Sequence, residues 1–190
     1  MSIVLVGAPG AGKSTVGAEL AGLLGKSFVD VDARIEEVVG KPVAEIFADD
    51  GEARFRALEE AATLELLETG EVVSLGGGAV MNPRIREALA GHDVIWLEVS
   101  IQQASRRIGL NTARPLSLGN IRGRLIELLR ERTPVYEAVS TTRVNTDRRE
   151  PGGDRRGTRR DQETAVIVPV NSRVAPLPGA HRPRRAGTTR

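Results

Sequence analysis

The stretch "SIVLVGAPGAGKSTVGAELAGLLG" constrains this chain more tightly than any other part of it. Residues 2–7 are a short apolar run that fits a strand buried on both faces, and Val16, Leu20, Leu23 and Leu24 then recur at helical spacing until Gly25 closes the pattern. Between the two lie Gly7, four residues, and Gly12-Lys13-Ser14. A glycine-rich turn there lets backbone N–H groups converge on phosphate oxygens, and the following helix aims its positive end at the same anion. Lys13 is placed to reach the β- and γ-phosphates and the Ser14 hydroxyl to ligate Mg²⁺, with Gly10, Ala11, Gly12 and Thr15 completing the cradle. Thr15 is not assigned to the metal. Strand, loop and helix in this order predict nucleoside triphosphate binding.

The alternation continues to about residue 150. Strand-like runs recur at 27–31, 71–76, 93–99 and 139–144. Helical stretches fill the gaps at 33–39, 51–68, 82–90 (with Pro83 in the first turn), 101–108 and 123–132. The fold class is therefore α/β, a parallel sheet with helices on both faces, and ligands in such sheets bind at the carboxyl ends of the strands. A length of 190 residues suits one domain.

One strand end carries an unusual pair. In "FVDVDARIEE" the spacing places Asp30 and Asp32 on one face of a strand, roughly 7 Å apart, where like charges repel unless something lies between them. The plainer alternative is a helix cap, since Asp32 precedes "ARIEEVV". The later strand that commonly brings a metal-binding acid to a phosphate loop reads "VVSLGGG", with Ser74 and Leu75 in that place. Asp30 is thus the candidate metal carboxylate, acting through metal-bound water, and Asp32 faces the acceptor pocket.

Charge and composition narrow the class further. The net charge of +2 divides into +6 for residues 152–190 and −4 for residues 1–151, so the basic pI belongs to the tail and is weak ground for a nucleic-acid partner. That tail, "PGGDRRGTRRDQETAVIVPVNSRV…", scatters Pro, Gly and Arg and reads as disordered, with "AVIVPV" as an edge strand in the alternative. With no cysteines there is no thiolate metal site, and any metal must sit on oxygen ligands. No run is long enough to span a bilayer and no signal peptide is visible, which predicts a cytoplasmic protein. His92 and His181 form no ligand or triad pattern, and Trp96 is expected in the core.

Six motifs in order, "GAPGAGKST", "DVDARIEE", "IFADDGEARFRALEE", "LGGGAV", "GLNTARPL" and "RERTPVYEAVS", resemble the shikimate kinase family, and the likeness runs through residues 2–151. The resemblance implies a P-loop kinase of the nucleoside monophosphate kinase type that moves the γ-phosphoryl of ATP to the 3-hydroxyl of shikimate, with Mg²⁺, in aromatic amino-acid biosynthesis. It implies that Asp32 binds ring hydroxyls, that Arg56 and Arg132 hold the substrate carboxylate, and that Gly76, Gly77 and Gly78 form the floor beneath the ring. Arg114 would belong to a lid spanning about 108–120, and Arg107 and the loop around Arg149 would flank adenine. The residues themselves suit those roles: guanidinium forks hold planar carboxylates, and glycines allow close approach of backbone to ligand.

In phosphoryl transfer the protein mostly aligns and neutralises, with Lys13 and Arg114 as the expected charge stabilisers. Asp32 either accepts the hydroxyl proton or orients it. Glu59 either orients Arg56 or lies on a solvated helix face. The expected partner is a small molecule, with no membrane or nucleic acid and a monomeric chain. The rival reading is a P-loop kinase for another polyhydroxy acid or a nucleoside monophosphate, against which the Asp32, Arg56 and Arg132 set counts. The family's closing helix is hard to find in "GGDRRGTRRDQE".

Overall fold

Apolar strand segments that alternate with amphipathic helices assemble here into five parallel strands. A computed structural model describes residues 1–108 and 115–147, the stretch 115–122 by its backbone alone. Strands β1 (Ile3–Val6), β2 (Phe28–Asp30), β3 (Val72–Ser74), β4 (Asp93–Glu98) and β5 (Thr142–Asn145) lie in the order β2-β3-β1-β4-β5. All four pairings are parallel, and the register sets Leu5 beside Ser74 and Ser74 beside Asp30.

The helices are α1 (Lys13–Leu24), α2 (Val31–Val39), α3 (Val43–Asp49), α4 (Gly51–Leu67), α5 (Pro83–Leu89), α6 (Ile101–Arg107) and α7 (Pro115–Val139), with a 3-10 turn at Ala79–Met81. They bury both faces of the sheet, as the near-continuous apolar strands require. On one face Val4, Val6, Val73, Val94 and Trp96 pack with Ile35, Phe55, Leu67 and Tyr136. On the other, Ile3, Leu5, Ile95 and Leu97 pack with Val16, Leu20, Ala104 and Leu125. Gly17 lets α1 settle there: a Cβ on it would fall 2.2 Å from the Phe28 ring.

Three expectations need correction. Residues 27–31 are not one strand: the chain leaves the sheet after Asp30, and Val31 opens α2. Asp30 and Asp32 therefore do not share a strand face, and the capping residue is Asp30 rather than Asp32. The cause is local, since the Asp30 carboxylate accepts hydrogen bonds from the Asp32 and Ala33 N–H groups at 3.0 and 3.5 Å, which favours helix start over strand continuation. The helix read at 123–132 extends in both directions to become α7, tolerating Pro134. Helix α3 was absent from the sequence reading.

Residues 109–114 and 148–190 lie outside the described residues, and with them Arg114, Arg149, the 109–114 part of the expected lid and the tail, whereas residues 115–120 of that lid form the first turns of α7. Among the described residues no helix is long and apolar enough to cross a membrane.

Candidate active site

The carboxyl ends of β1, β2 and β3 meet at the loop between β1 and α1. Gly10 and Gly12 have φ of 77° and 89°, a left-handed backbone that glycine adopts without strain. Gly7 is needed for closeness, since a Cβ there would lie 2.5 Å from the Leu97 carbonyl oxygen. Gly12 caps α1 with no side-chain acceptor, so the first-turn N–H groups of that helix have no side-chain cap. Such a helix end is an anion site. The Lys13 ammonium donates to the Gly7 and Ala8 carbonyls at 3.0 and 3.3 Å. Burial pulls its pKa below the usual lysine range; Asp30 and Asp32 oppose this and Arg132 adds to it.

Beside the cradle lie the side-chain oxygens of Ser14, Asp30 and Ser74. The Ser14 hydroxyl is 3.4 Å from Asp30 Oδ2. Ser74 sits opposite Asp30 in the sheet, is fully buried, and its Oγ has no hydrogen-bond partner among the described residues. Val72 packs on the α1 face, and Ser74 two positions on points the same way. A buried hydroxyl without a partner is costly unless something else fills the role. The described residues contain no cluster of three acidic or histidine ligands. Mg²⁺ fits this arrangement, because it keeps several waters and takes few protein oxygens beside phosphate.

The second half of the site is built on glycines. Residues 76–78 follow β3, and none of them has positive φ, so their small size serves contact and not conformation. A Cβ on Gly76 would lie 2.5 Å from Glu59 Oε1 and 3.0 Å from Asp32 Oδ1. One on Gly78 would lie 2.9 Å from a terminal nitrogen of Arg56, and one on Gly77 3.5 Å from a terminal nitrogen of Arg132 and 3.2 Å from Pro9 of the phosphate loop. Asp32, Arg56, Arg132 and the three glycines, drawn from α2, α4, α7 and the turn after β3, thus converge beside Lys13.

Their electrostatics are coupled. Glu59, 2% exposed, accepts from Arg56 at 2.7 Å, while the exposed Glu52 accepts from the same guanidinium at 3.1 and 3.2 Å. Of the two readings of Glu59, the structure selects the buried partner of Arg56. Asp32 has one oxygen, Oδ1, buried with no partner among the described residues. Its pKa is raised to about 6, by burial first and then by Asp30 and Glu59, against the pull of Lys13. Arg107 donates to the Gly10 carbonyl and to Thr146 at 3.2 Å each, which fastens α6 and the end of β5 to the cradle.

Sequence reasoning named Ser74 only as the place where an acid was lacking, and it passed over Tyr136, whose hydroxyl donates to the Gly77 carbonyl. The run "VVSLGGG" carried a signal for the first; nothing short-range marked the second.

The sequence profile of shikimate kinase matches residues 9–166. The shikimate kinase of Thermobifida fusca (strain YX) is 52% identical over 149 residues, covering 78% of this chain and 87% of that one. That of Mycobacterium avium (strain 104) is 53% identical over 151 residues, covering 78% and 86%. Among solved structures, shikimate kinase from Acinetobacter baumannii in complex with shikimate superposes with a TM-score of 0.72 at 36% identity, over 78% of this chain and 84% of that one.

Proposed function

This chain belongs to the shikimate kinase family, and from that premise we propose how its own residues carry out the family's reaction, the ATP-dependent phosphorylation of shikimate in the shikimate pathway. The acceptor is the 3-hydroxyl, and the products are shikimate 3-phosphate and ADP. The observation that carries the assignment is the pair of guanidiniums, Arg56 and Arg132, brought against Gly78 and Gly77 beside the phosphate loop. Two arginine forks from separate helices suit the carboxylate of a small acid, and the glycine floor leaves room for a ring of hydroxyls.

In this division of labour the backbone of residues 10–15 and Lys13 bind the ATP phosphates. Asp32 stands at the acceptor hydroxyl with a partnerless oxygen and a pKa near 6, and accepts the proton as the oxygen forms its bond to the γ-phosphorus and the bond from that phosphorus to the β–γ bridging oxygen breaks. Ser14 and Asp30, with Ser74 behind them, would hold Mg²⁺, which supplies charge neutralisation on the β- and γ-phosphates when bound. Glu59 keeps Arg56 oriented toward the floor. Arg114 is assigned to a lid across about 108–120 that reaches the phosphates and excludes water, and Arg107 and Arg149 to the adenine. We further propose residues 1–151 as the catalytic domain, 152–190 as a basic tail, and a monomeric, cytoplasmic protein.

A coupled ADP-release assay across shikimate, gluconate and nucleoside monophosphates tests the substrate. Turnover is expected with shikimate; equal turnover of gluconate would refute the assignment.

A further inference from the structure

Tyr136 lies on α7 one turn after Arg132 and is 1% exposed. A phenol this buried needs partners for its hydroxyl. Tyr136 donates to the Gly77 carbonyl at 2.5 Å, and the Arg132 guanidinium, with a terminal nitrogen 3.5 Å from the position of the missing Gly77 Cβ, stands beside it. One oxygen thereby sits between the middle of the glycine floor and one arm of the carboxylate clamp. Burial raises the phenol pKa to about 12, so the hydroxyl keeps the proton it donates.

The ring is fixed independently of this bond. It stacks on Trp96 of β4 with centroids 6.2 Å apart and planes 26° apart, and the Arg143 guanidinium lies 4.7 Å from the centroid of the Trp96 ring. Arg143 is itself held by Glu98. The hydroxyl therefore hangs from a rigid stack rooted in the sheet. Gly77 also borders the phosphate loop, with Pro9 Cδ 3.2 Å and the Gly7 carbonyl oxygen 3.6 Å from the position of its missing Cβ.

We propose that the Tyr136 hydroxyl is a positioning group for substrate binding: it locks Arg132 and the Gly77 peptide in one register, so that the clamp meets the acceptor carboxylate while the floor stays in line with the phosphate loop. This rests on the shikimate reading above. Without the hydroxyl, the Gly77 carbonyl loses its donor, Arg132 loses the polar neighbour that borders it, and the clamp must be ordered at the expense of substrate binding.

The test is Tyr136→Phe, assayed with shikimate and with its carboxylate methyl ester. The expected result is a KM for shikimate raised roughly 5- to 30-fold, with kcat and the KM for ATP within about twofold. The preference for acid over ester should shrink by a similar factor, because only the acid uses Arg132. Val135→Ala, a packing change at the next residue, should lower stability without moving that preference.

Because Tyr136 is the only tyrosine in the chain, biosynthetic 3-fluorotyrosine places a ¹⁹F probe at this one ring. Its signal should shift with shikimate and much less with the ester. An unchanged acid-to-ester ratio in Tyr136→Phe, or equal ¹⁹F responses to both compounds, would overturn the proposal. Failure of the wild-type protein to phosphorylate shikimate would instead overturn the substrate reading on which it stands.

Discussion

Replacing Gly76 by alanine places one methyl group at the most crowded point of the site. The backbone tolerates it, since Gly76 is not among the glycines with positive φ. The methyl carbon would sit 2.5 Å from Glu59 Oε1 and 3.0 Å from Asp32 Oδ1. The first distance is about 1 Å short of an ordinary contact. Glu59 cannot withdraw freely, because it is buried and bonded to Arg56 at 2.7 Å. Relief therefore pulls Arg56 off the floor or turns Asp32 away from it. Overpacking of this kind costs about 1–3 kcal/mol. If the strain falls on the clamp, shikimate binding weakens about 5- to 150-fold. If it falls on the fold, Tm drops by about 2–4 °C for each kcal/mol in a chain of this size. Steady-state kinetics with each substrate varied, together with thermal melts, separates the two. We expect the KM for shikimate to rise well beyond fivefold with the KM for ATP within about twofold. Gly91→Ala is the control, since nothing lies within 4 Å of its added carbon. A normal KM for shikimate together with an unchanged Tm in Gly76→Ala would refute the claim that Glu59 and Asp32 press against the floor.

Further outcomes follow from the same geometry. Asp32→Asn should abolish most turnover yet raise Tm at neutral pH: a carboxyl with its folded pKa raised to about 6 destabilises the fold above that pH, and its contribution improves as pH falls from 6 toward 4. His92 behaves oppositely, because its Nδ1 accepts the Ser2 N–H at 3.0 Å and burial lowers its pKa. Its contribution is complete above the unfolded pKa near 6.5 and is lost as pH falls through the lower folded value, a loss that His92→Gln should remove from the Tm-versus-pH curve. Gly17→Ala should destabilise the protein by about 1–3 kcal/mol in urea unfolding, since its Cβ would fall 2.2 Å from Phe28 and 2.9 Å from Leu5, with little change in either KM.

The phosphate loop was legible because its chemistry is local: spacing, glycines and a strand-to-helix transition all lie within a dozen residues. The parallel sheet followed from alternation, and Trp96 lies in the core at 4% exposure, where its strand placed it. Helix α3 escaped because "VAEIFAD" is only seven residues with one buried position, Ile46, too short to display a period. The aspartate pair was misread because a strand period and a helix first turn look alike over three residues; the capping bonds of Asp30 decide between them. Ser74 and Tyr136 could not be read from neighbours in sequence. The place of Ser74 depends on a strand register set with Asp30, 44 residues away, and that of Tyr136 on a hydrogen bond to Gly77, 59 residues away.

The most direct measurement is calorimetric titration of shikimate into the wild-type protein, Arg56→Ala, Arg132→Ala and the double variant, with ADP and Mg²⁺ present. Each single truncation should weaken binding at least about 30-fold, equivalent to about 2 kcal/mol, as expected when one partner of a desolvated charge pair is removed. The double variant should lose less than the product of the two, because both arginines grip one carboxylate. Retained affinity in either single variant, or losses that multiply without coupling, would contradict a shared clamp beside the phosphate loop.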